Sequence, residues 1–258
     1  MVWMGLGVTG DRLEDRDERL VLETGDGIGR RFGKEADVTN NRDVEQRIVI
    51  LGAGLFAQEV ADLVSGIAGC EVVGFVEGLD RQRCCQPLLD LPVYWIEDLD
   101  RLGGPCKAVC AVGSPKRDAF IRQALTHGWE FTTVIHPSAQ IFPTASLGEG
   151  CIVGAGVVVG SHTVVGRHVI LNRGALVGHH VRIGDYATIS PGANIAGRTT
   201  IGCCTHVAMG AIVIDGISIG NNCLIAAGAV VTHDVPDGVR VAGVPARAMD
   251  AMGPKRGK

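Results

Sequence analysis

Hydrophobic and polar positions follow two different rhythms along the chain. From Arg47 a β-branched run, Ile48-Val49-Ile50-Leu51, meets Gly52-Ala53-Gly54-Leu55-Phe56-Ala57, and apolar residues then recur at helical spacing through Val60, Leu63, Val64 and Ile67. That order reads as strand, glycine turn, helix. Further strands are predicted at Glu71 to Val76, ending on Glu77, at Ala108 to Val112 and at Phe131 to Ile135, with a helix from about Lys116 to His127. Strands alternating with helices predict a parallel α/β sheet with right-handed crossovers.

After His136-Pro137 the rhythm changes to six. Ile141, Leu147, Val153, Val159, Val165, Leu171, Val177, Ile183, Ile189, Ile195, Ile201, Val207, Val213, Ile219, Ile225 and Val231 fall in one unbroken register, and all sixteen are aliphatic. If about a third of positions were Ile, Leu or Val, such a run would arise by chance with a probability on the order of 10⁻⁷. The position after each is often Gly, as at Gly148, Gly154, Gly160 and Gly166, and the fourth after is small or β-branched, as at Ala145, Cys151, Thr163 and Ala211. A period of six fits neither a helix nor a hairpin. It predicts a β-helix of hexapeptide repeats, each hexad one short strand and a turn, with aliphatic columns stacked along the axis. The glycines are expected where φ is positive or the backbone is crowded.

The two rhythms divide the chain into a charged extension over residues 1–46 with a weak helical pattern at 11–22, an α/β domain over 47–135, a β-helix over 136–249 and a basic tail over 250–258. Composition supports this division. Aromatic residues make up 4% of the 258 residues while Gly numbers 37, so the core must be filled by aliphatic side chains, as narrow β architectures do. A formal charge of −4 without a long Lys/Arg block argues against nucleic acid as a partner. No stretch approaches the roughly 20 apolar residues of a membrane span, and the start is acidic where a signal peptide is basic, so a cytoplasmic protein is expected. The nine cysteines lack zinc-ligand spacing and read as reduced, partly buried thiols.

Several segments together resemble one family: Ile50-Leu51-Gly52-Ala53-Gly54, Val73-Gly74-Phe75-Val76-Glu77, Ala111-Val112-Gly113-Ser114, His136-Pro137-Ser138-Ala139, Ala226-Ala227-Gly228-Ala229-Val230-Val231, Asp234-Val235-Pro236 and Ala242-Gly243-Val244-Pro245-Ala246-Arg247. Over roughly residues 47–249 the chain is similar to the hexapeptide-repeat sugar acetyltransferases, which include UDP-4-amino-sugar N-acetyltransferases of the bacillosamine pathway and sialic acid O-acetyltransferases. The resemblance implies a Rossmann-like α/β domain that holds a nucleotide-linked or free sugar, followed by a left-handed β-helix with 18 residues per coil. It implies a homotrimer that binds acyl-CoA, in the first instance acetyl-CoA, between neighbouring subunits, without a metal. The expected reaction is acetylation of the amino group of a nucleotide-linked amino sugar for surface glycan synthesis. Alternatives are O-acetylation of a sugar or sialic acid, and a non-catalytic trimeric homologue.

Acyl transfer from a thioester needs a base to take the acceptor's proton, and histidine suits that task near neutral pH. His162, His168, His179, His180, His206 and His233 all lie in the repeat, where most turn residues are simply solvated. His179 stands apart because Asn172-Arg173-Gly174-Ala175-Leu176-Val177-Gly178-His179 resembles the family segment that ends in the catalytic base. The family's neighbouring carboxylate is replaced by His180, itself a candidate catalytic residue, and Asp185, six residues on, is a candidate to orient His179. The family's second histidine, nine after the base, is Thr188 here. With 18 residues per coil Thr188 stacks under His206 and His180 over His162, so Thr188 or His206 is a candidate for contact with the thioester carbonyl, and turn N–H groups for the oxyanion.

For CoA, the resemblance points to the backbone at Gly192, Ala193, Gly210 and Ala211 and to Gly243, Pro245 and Arg247, the last as a phosphate partner. The Gly52-Ala53-Gly54-Leu55-Phe56 turn opens a helix whose N-terminus suits the phosphates of a nucleotide sugar, with Gly113 in a nearby turn and Glu77 expected near ribose or base. The third glycine of a dinucleotide fingerprint is Ala57, and no domain for hydride transfer follows, so an NAD enzyme is rejected. A γ-type carbonic anhydrase needs two metal-binding histidines five positions apart, a spacing that this chain lacks.

Overall fold

A computed structural model describes residues 45–114 and 117–249. The expected helix at 11–22, the tail at 250–258 and all but the last two residues of the expected extension lie outside the described residues.

The α/β part runs β1 (Gln46–Leu51), α1 (Leu55–Ser65), β2 (Cys70–Glu77), β3 (Val93–Trp95), β4 (Lys107–Cys110) and α2 (Arg117–Thr126). The strands form one parallel sheet in the order β3-β2-β1-β4. In β1, Ile48 through Leu51 are fully buried because alternate residues serve opposite faces of the sheet. Ile48 and Ile50 join Ala57, Val60 and Val64 of α1, while Val49 and Leu51 join Ile121 and Ala124 of α2. The strand expected at Phe131 to Ile135 divides: Phe131 bridges to Ala108, and Val134–Ile135 pairs instead with Ile152–Val153. β3, three residues long, carries too few positions to show an alternation in the sequence.

From Val134 to Val231 the chain winds through two-residue strands, each pairing in parallel with the strand one coil away, as fits a left-handed β-helix. Val164 pairs with Arg182, eighteen residues on, and the same interval holds from coil to coil. The last coil is shorter: Leu224 pairs with Arg240, sixteen residues on. All sixteen hexad aliphatics are the second residue of a strand, and those from Val153 onward are buried inside the coil. Many of the recurring glycines answer to crowding rather than to positive φ. A Cβ on Gly148 would stand 2.7 Å from the carbonyl carbon of Gly166 in the next coil. No side chain fits between backbones that approach so closely.

Three sheets make three faces. The first carries Val164–Val165, Arg182–Ile183 and Thr200–Ile201; the second Ile152–Val153, Ile170–Leu171, Thr188–Ile189 and His206–Val207; the third Val158–Val159, Leu176–Val177, Asn194–Ile195 and Ile212–Val213. The chain order places His179-His180 at the edge between third and first faces, Asp185-Tyr186 between first and second, and Pro191-Gly192 between second and third.

The α/β part packs on the second face. Ile152 and Ile170 point outward from it, yet are each 2% exposed because α1 covers them. Removing each from water contributes about 1.5–3 kcal/mol. Arg117, at the start of α2 and 1% exposed, bridges to the same side of the coil. It donates to the carbonyls of Ser114, His168, Tyr186 and Ala187 and to Thr188 Oγ1. Among the described residues no helix is long and apolar enough to cross a membrane.

Candidate active site

His179 and His180 occupy one exposed corner. Val177 ends a strand inside the coil, Gly178 turns the chain, and His180 takes a left-handed φ of +57° before Arg182 opens the next strand. The Nδ1 atoms of His179 and His180 are 3.1 Å apart, with ring planes at 85°. His162, one coil earlier, brings its ring to 4.8 Å from that of His180. One coil later the corner holds Gly197, where a Cβ would lie 2.7 Å from Cε1 and Nε2 of His179, and then Arg198, which is ion-paired with Asp215.

Asp185 does not orient His179. It sits on the next edge of the prism, where its Oδ1 accepts the N–H of Arg167 at 2.8 Å and its Oδ2 meets the Arg167 guanidinium at 3.0 Å. Burial pushes its carboxyl up, but the hydrogen bonds and charge of Arg167 outweigh this and hold it below the usual carboxylate value. Six residues along a triangular coil lead to a different corner, so sequence proximity is no guide to contact here.

Thr188 and His206 do stack, as adjacent strands of the second face. That face lies opposite the edge that bears His179. Thr188 is 5% exposed and accepts from Arg117 Nη1 at 2.9 Å, which withdraws it from a thioester. His206 is partly exposed, with Nε2 2.8 Å from Ser190 Oγ; burial, with the charge of Arg117, lowers its pKa.

The residues expected to meet CoA divide in a similar way. Ala193 and Ala211 are fully buried in the coil, and their N–H groups bond to the carbonyls of Ser190 and Ala208. The N–H groups of Gly192 and Gly210 bond to Arg173 and Pro191, so all four are spent within the coil and unavailable to an oxyanion. Gly192 and Gly210 themselves remain at the edge between second and third faces, where a Cβ would meet open space. Gly243, Pro245 and Arg247 are exposed near the last coil, with Arg247 Nη1 donating to the carbonyl of Ala246.

In the α/β part, Gly52 has a φ of +111° and a Cβ there would stand 3.3 Å from the Ala111 carbonyl, so the turn needs glycine. Gly54 caps α1 with space around it, Leu55 is 85% exposed, and Gly113 lies across from Phe56. Glu77 faces inward: Oε1 accepts the N–H groups of Gly78 and Leu79 at 2.9 Å, and Oε2 lies 3.6 Å from Arg83. One of its oxygens is thus committed to its own turn rather than presented to a ribose.

Phe56 lines a cavity of about 230 Å³ between α1 and the second face. Glu59, Leu63, His136, Asn172 and Arg173 share its wall, and an ion pair of 2.8 Å joins Arg173 to Glu59. None of these five was selected from the sequence as a site residue. Asn172 and Arg173 carry a signal in the segment leading to His179, and His136 in the His136-Pro137-Ser138-Ala139 motif; Glu59 and Leu63 are revealed only by packing. Among the described residues no group of three His, Cys, Asp or Glu side chains is placed to hold a metal.

A family model described as bacterial transferase hexapeptide (six repeats) matches residues 132–167 and 162–197. Similar solved structures include a histidine-to-asparagine mutant of perosamine N-acetyltransferase from Caulobacter crescentus in complex with CoA and GDP-perosamine. It is 31% identical over 80% of this chain and 98% of that chain, with a TM-score of 0.74. The acetyltransferase domain of PglB from Neisseria gonorrhoeae, in complex with acetyl coenzyme A, is 29% identical over 79% of this chain and 99% of that chain, TM-score 0.71. WeeI from Acinetobacter baumannii is 26% identical over 79% and 100%, TM-score 0.64. No curated protein matches the sequence significantly.

Proposed function

The chain belongs to the hexapeptide-repeat sugar acetyltransferases, and from that membership we propose that it transfers the acetyl group of acetyl-CoA to the amino group of a nucleotide-linked amino sugar, with His179 as base. The observation that carries this reading is the exposed imidazole of His179, held at Nδ1 by His180 and given room by Gly197. Support comes from the similar proteins crystallised with CoA, acetyl-CoA and GDP-perosamine.

In the reading, residues 47–135 form a Rossmann-like acceptor domain. Its parallel sheet and the Gly52-Ala53-Gly54 turn at the N-terminus of α1 suit a nucleotide diphosphate. The cavity beside Phe56 and Asn172 suits the sugar. This cavity lies on the second face, whereas His179 lies on the edge opposite, so acceptor and base meet only if they come from two copies of the chain. A homotrimer supplies that geometry. The exposed apolar side chains of Val164, Leu176 and Ile212, on the two faces that flank the His179 edge, are the surface for it. Acetyl-CoA then lies between the His179 edge of one copy and the Gly192–Gly210 edge of the next, with His206 near the thioester and Arg247 near a phosphate.

The amine nitrogen attacks the thioester carbonyl carbon while Nε2 of His179 takes its proton. The C–S bond breaks, and the proton passes from the imidazolium to the CoA sulfur. Thiol release from acetyl-CoA, measured with UDP-, GDP- and dTDP-linked amino sugars, tests the reading. His179→Ala should lower turnover by about a hundredfold or more with an unchanged circular dichroism spectrum; turnover at the wild-type rate in that variant removes the assignment, and no release with any amino sugar removes the activity.

A further inference from the structure

We propose that His180 is the positioning residue of His179: an imidazole–imidazole hydrogen bond between the two Nδ1 atoms sets the tautomer that leaves Nε2 of His179 bare. The inference rests on His179 being the base, and it assigns the task of orienting that base to a neutral side chain.

The bond of 3.1 Å between the two Nδ1 atoms requires one hydrogen and one lone pair. If His179 donates, its Nε2 has the lone pair and is a base. If His180 donates, His179 carries its hydrogen on Nε2 and is none. When His179 takes a proton during reaction, both its nitrogens become donors, and only the first arrangement survives without rotation of a ring. The bond is therefore strongest in the state that the reaction creates. Both rings are exposed in the single chain, and covering of the corner by a second copy would remove the competing water.

Three features fix the pair. The φ of +57° at His180 turns its side chain back toward its neighbour. The ring of His162 backs that of His180 at 4.8 Å, and Gly197 leaves space for the ring of His179 on the other side. The titratable and charged groups around the corner are His162 from the preceding coil and Arg198 with its partner Asp215 from the following ones. Among the described residues no carboxylate hydrogen-bonds either ring. A single proton on either ring thus disables the pair, because protonated His180 can only donate and would fill Nδ1 of His179 with the wrong hydrogen.

The test uses the full-length protein. His180→Gly suits the positive φ and removes the ring; His180→Asn also suits that φ and returns a neutral acceptor. The Gly variant should lose about tenfold or more in kcat with the KM for acetyl-CoA within about twofold, and the Asn variant should recover most of that loss. At low pH the wild-type rate should fall more steeply than that of the Asn variant, by up to one proton in the slope of log rate against pH, since the second ring can take a disabling proton in the wild type alone while the substrate amine weighs on both. A Gly variant with wild-type kcat and pH profile, or an Asn variant as impaired as the Gly variant, overturns the proposal. His179→Ala measured beside them separates the cases: if it is inactive while the Gly variant is normal, only the role of His180 falls.

Discussion

A Cβ on Gly197 would lie 2.7 Å from Nε2 of His179, so the missing side chain on one coil gives the imidazole of the coil before it its place. The clash would be with the far end of an exposed side chain, which can swing away at little cost in stability. Gly197→Ala should therefore leave the melting temperature within a few degrees while kcat drops about tenfold or more. Thermal unfolding and thiol-release kinetics on the same sample check both halves.

Arg117 connects α2 to the coil by spending its guanidinium donors on carbonyl and hydroxyl oxygens. Desolvation lowers its pKa, and the dense set of carbonyls keeps the charge tolerable. Arg117→Met would leave the carbonyls of His168 and Tyr186 without this donor, while those of Ala187 and Ser114 keep the backbone N–H of Ile170 and of residue 117, and should cost about 3 kcal/mol. Denaturant unfolding gives the value, and a variant as stable as the wild type would show that the bridge holds nothing together.

His168 is 5% exposed, stacked at 5.4 Å on Tyr186, and its Nδ1 has no hydrogen-bond partner among the described residues. Burial, helped by Arg117 and Arg167, lowers its pKa from 6.5 to about 4. Because the folded value is the lower one, the unfolded chain takes up the proton first as pH falls. Stability is fully present above about pH 6.5 and is lost toward pH 4, by something on the order of 2 kcal/mol. His168→Asn should flatten that part of the stability profile, measured by denaturant titration at each pH.

Leu176 and Ile212 lie in one outward column of the third face, each 43% exposed. If that face meets a second copy, Ile212→Glu buries a charge at the contact. Sedimentation should show monomers, and activity should vanish with the fold intact. An unchanged trimer would move the interface elsewhere.

The hexad aliphatics from Val153 onward occupy the interior as their spacing predicts, because a repeat buries the same position in every coil and needs no knowledge of distant residues. The glycine turn before α1 is legible for a local reason, the positive φ at Gly52. The pairing of His179 with His180 lies between neighbours in the chain, yet the sequence pointed to Asp185, since six residues on looks close until the corner is known.

What the sequence determined by itself is whatever repeats or is local: a parallel α/β segment, a hexapeptide coil, the family, and the turn that carries His179. What only the tertiary structure decided is which faces are covered. Arg117 reads as one more charge at a helix start, Thr188 as a candidate ligand and Glu77 as a ribose partner; burial made the first a bridge, withdrew the second and turned the third toward its own loop. Burial and partnership depend on what lies across space from a residue, and a one-dimensional pattern records only what lies beside it.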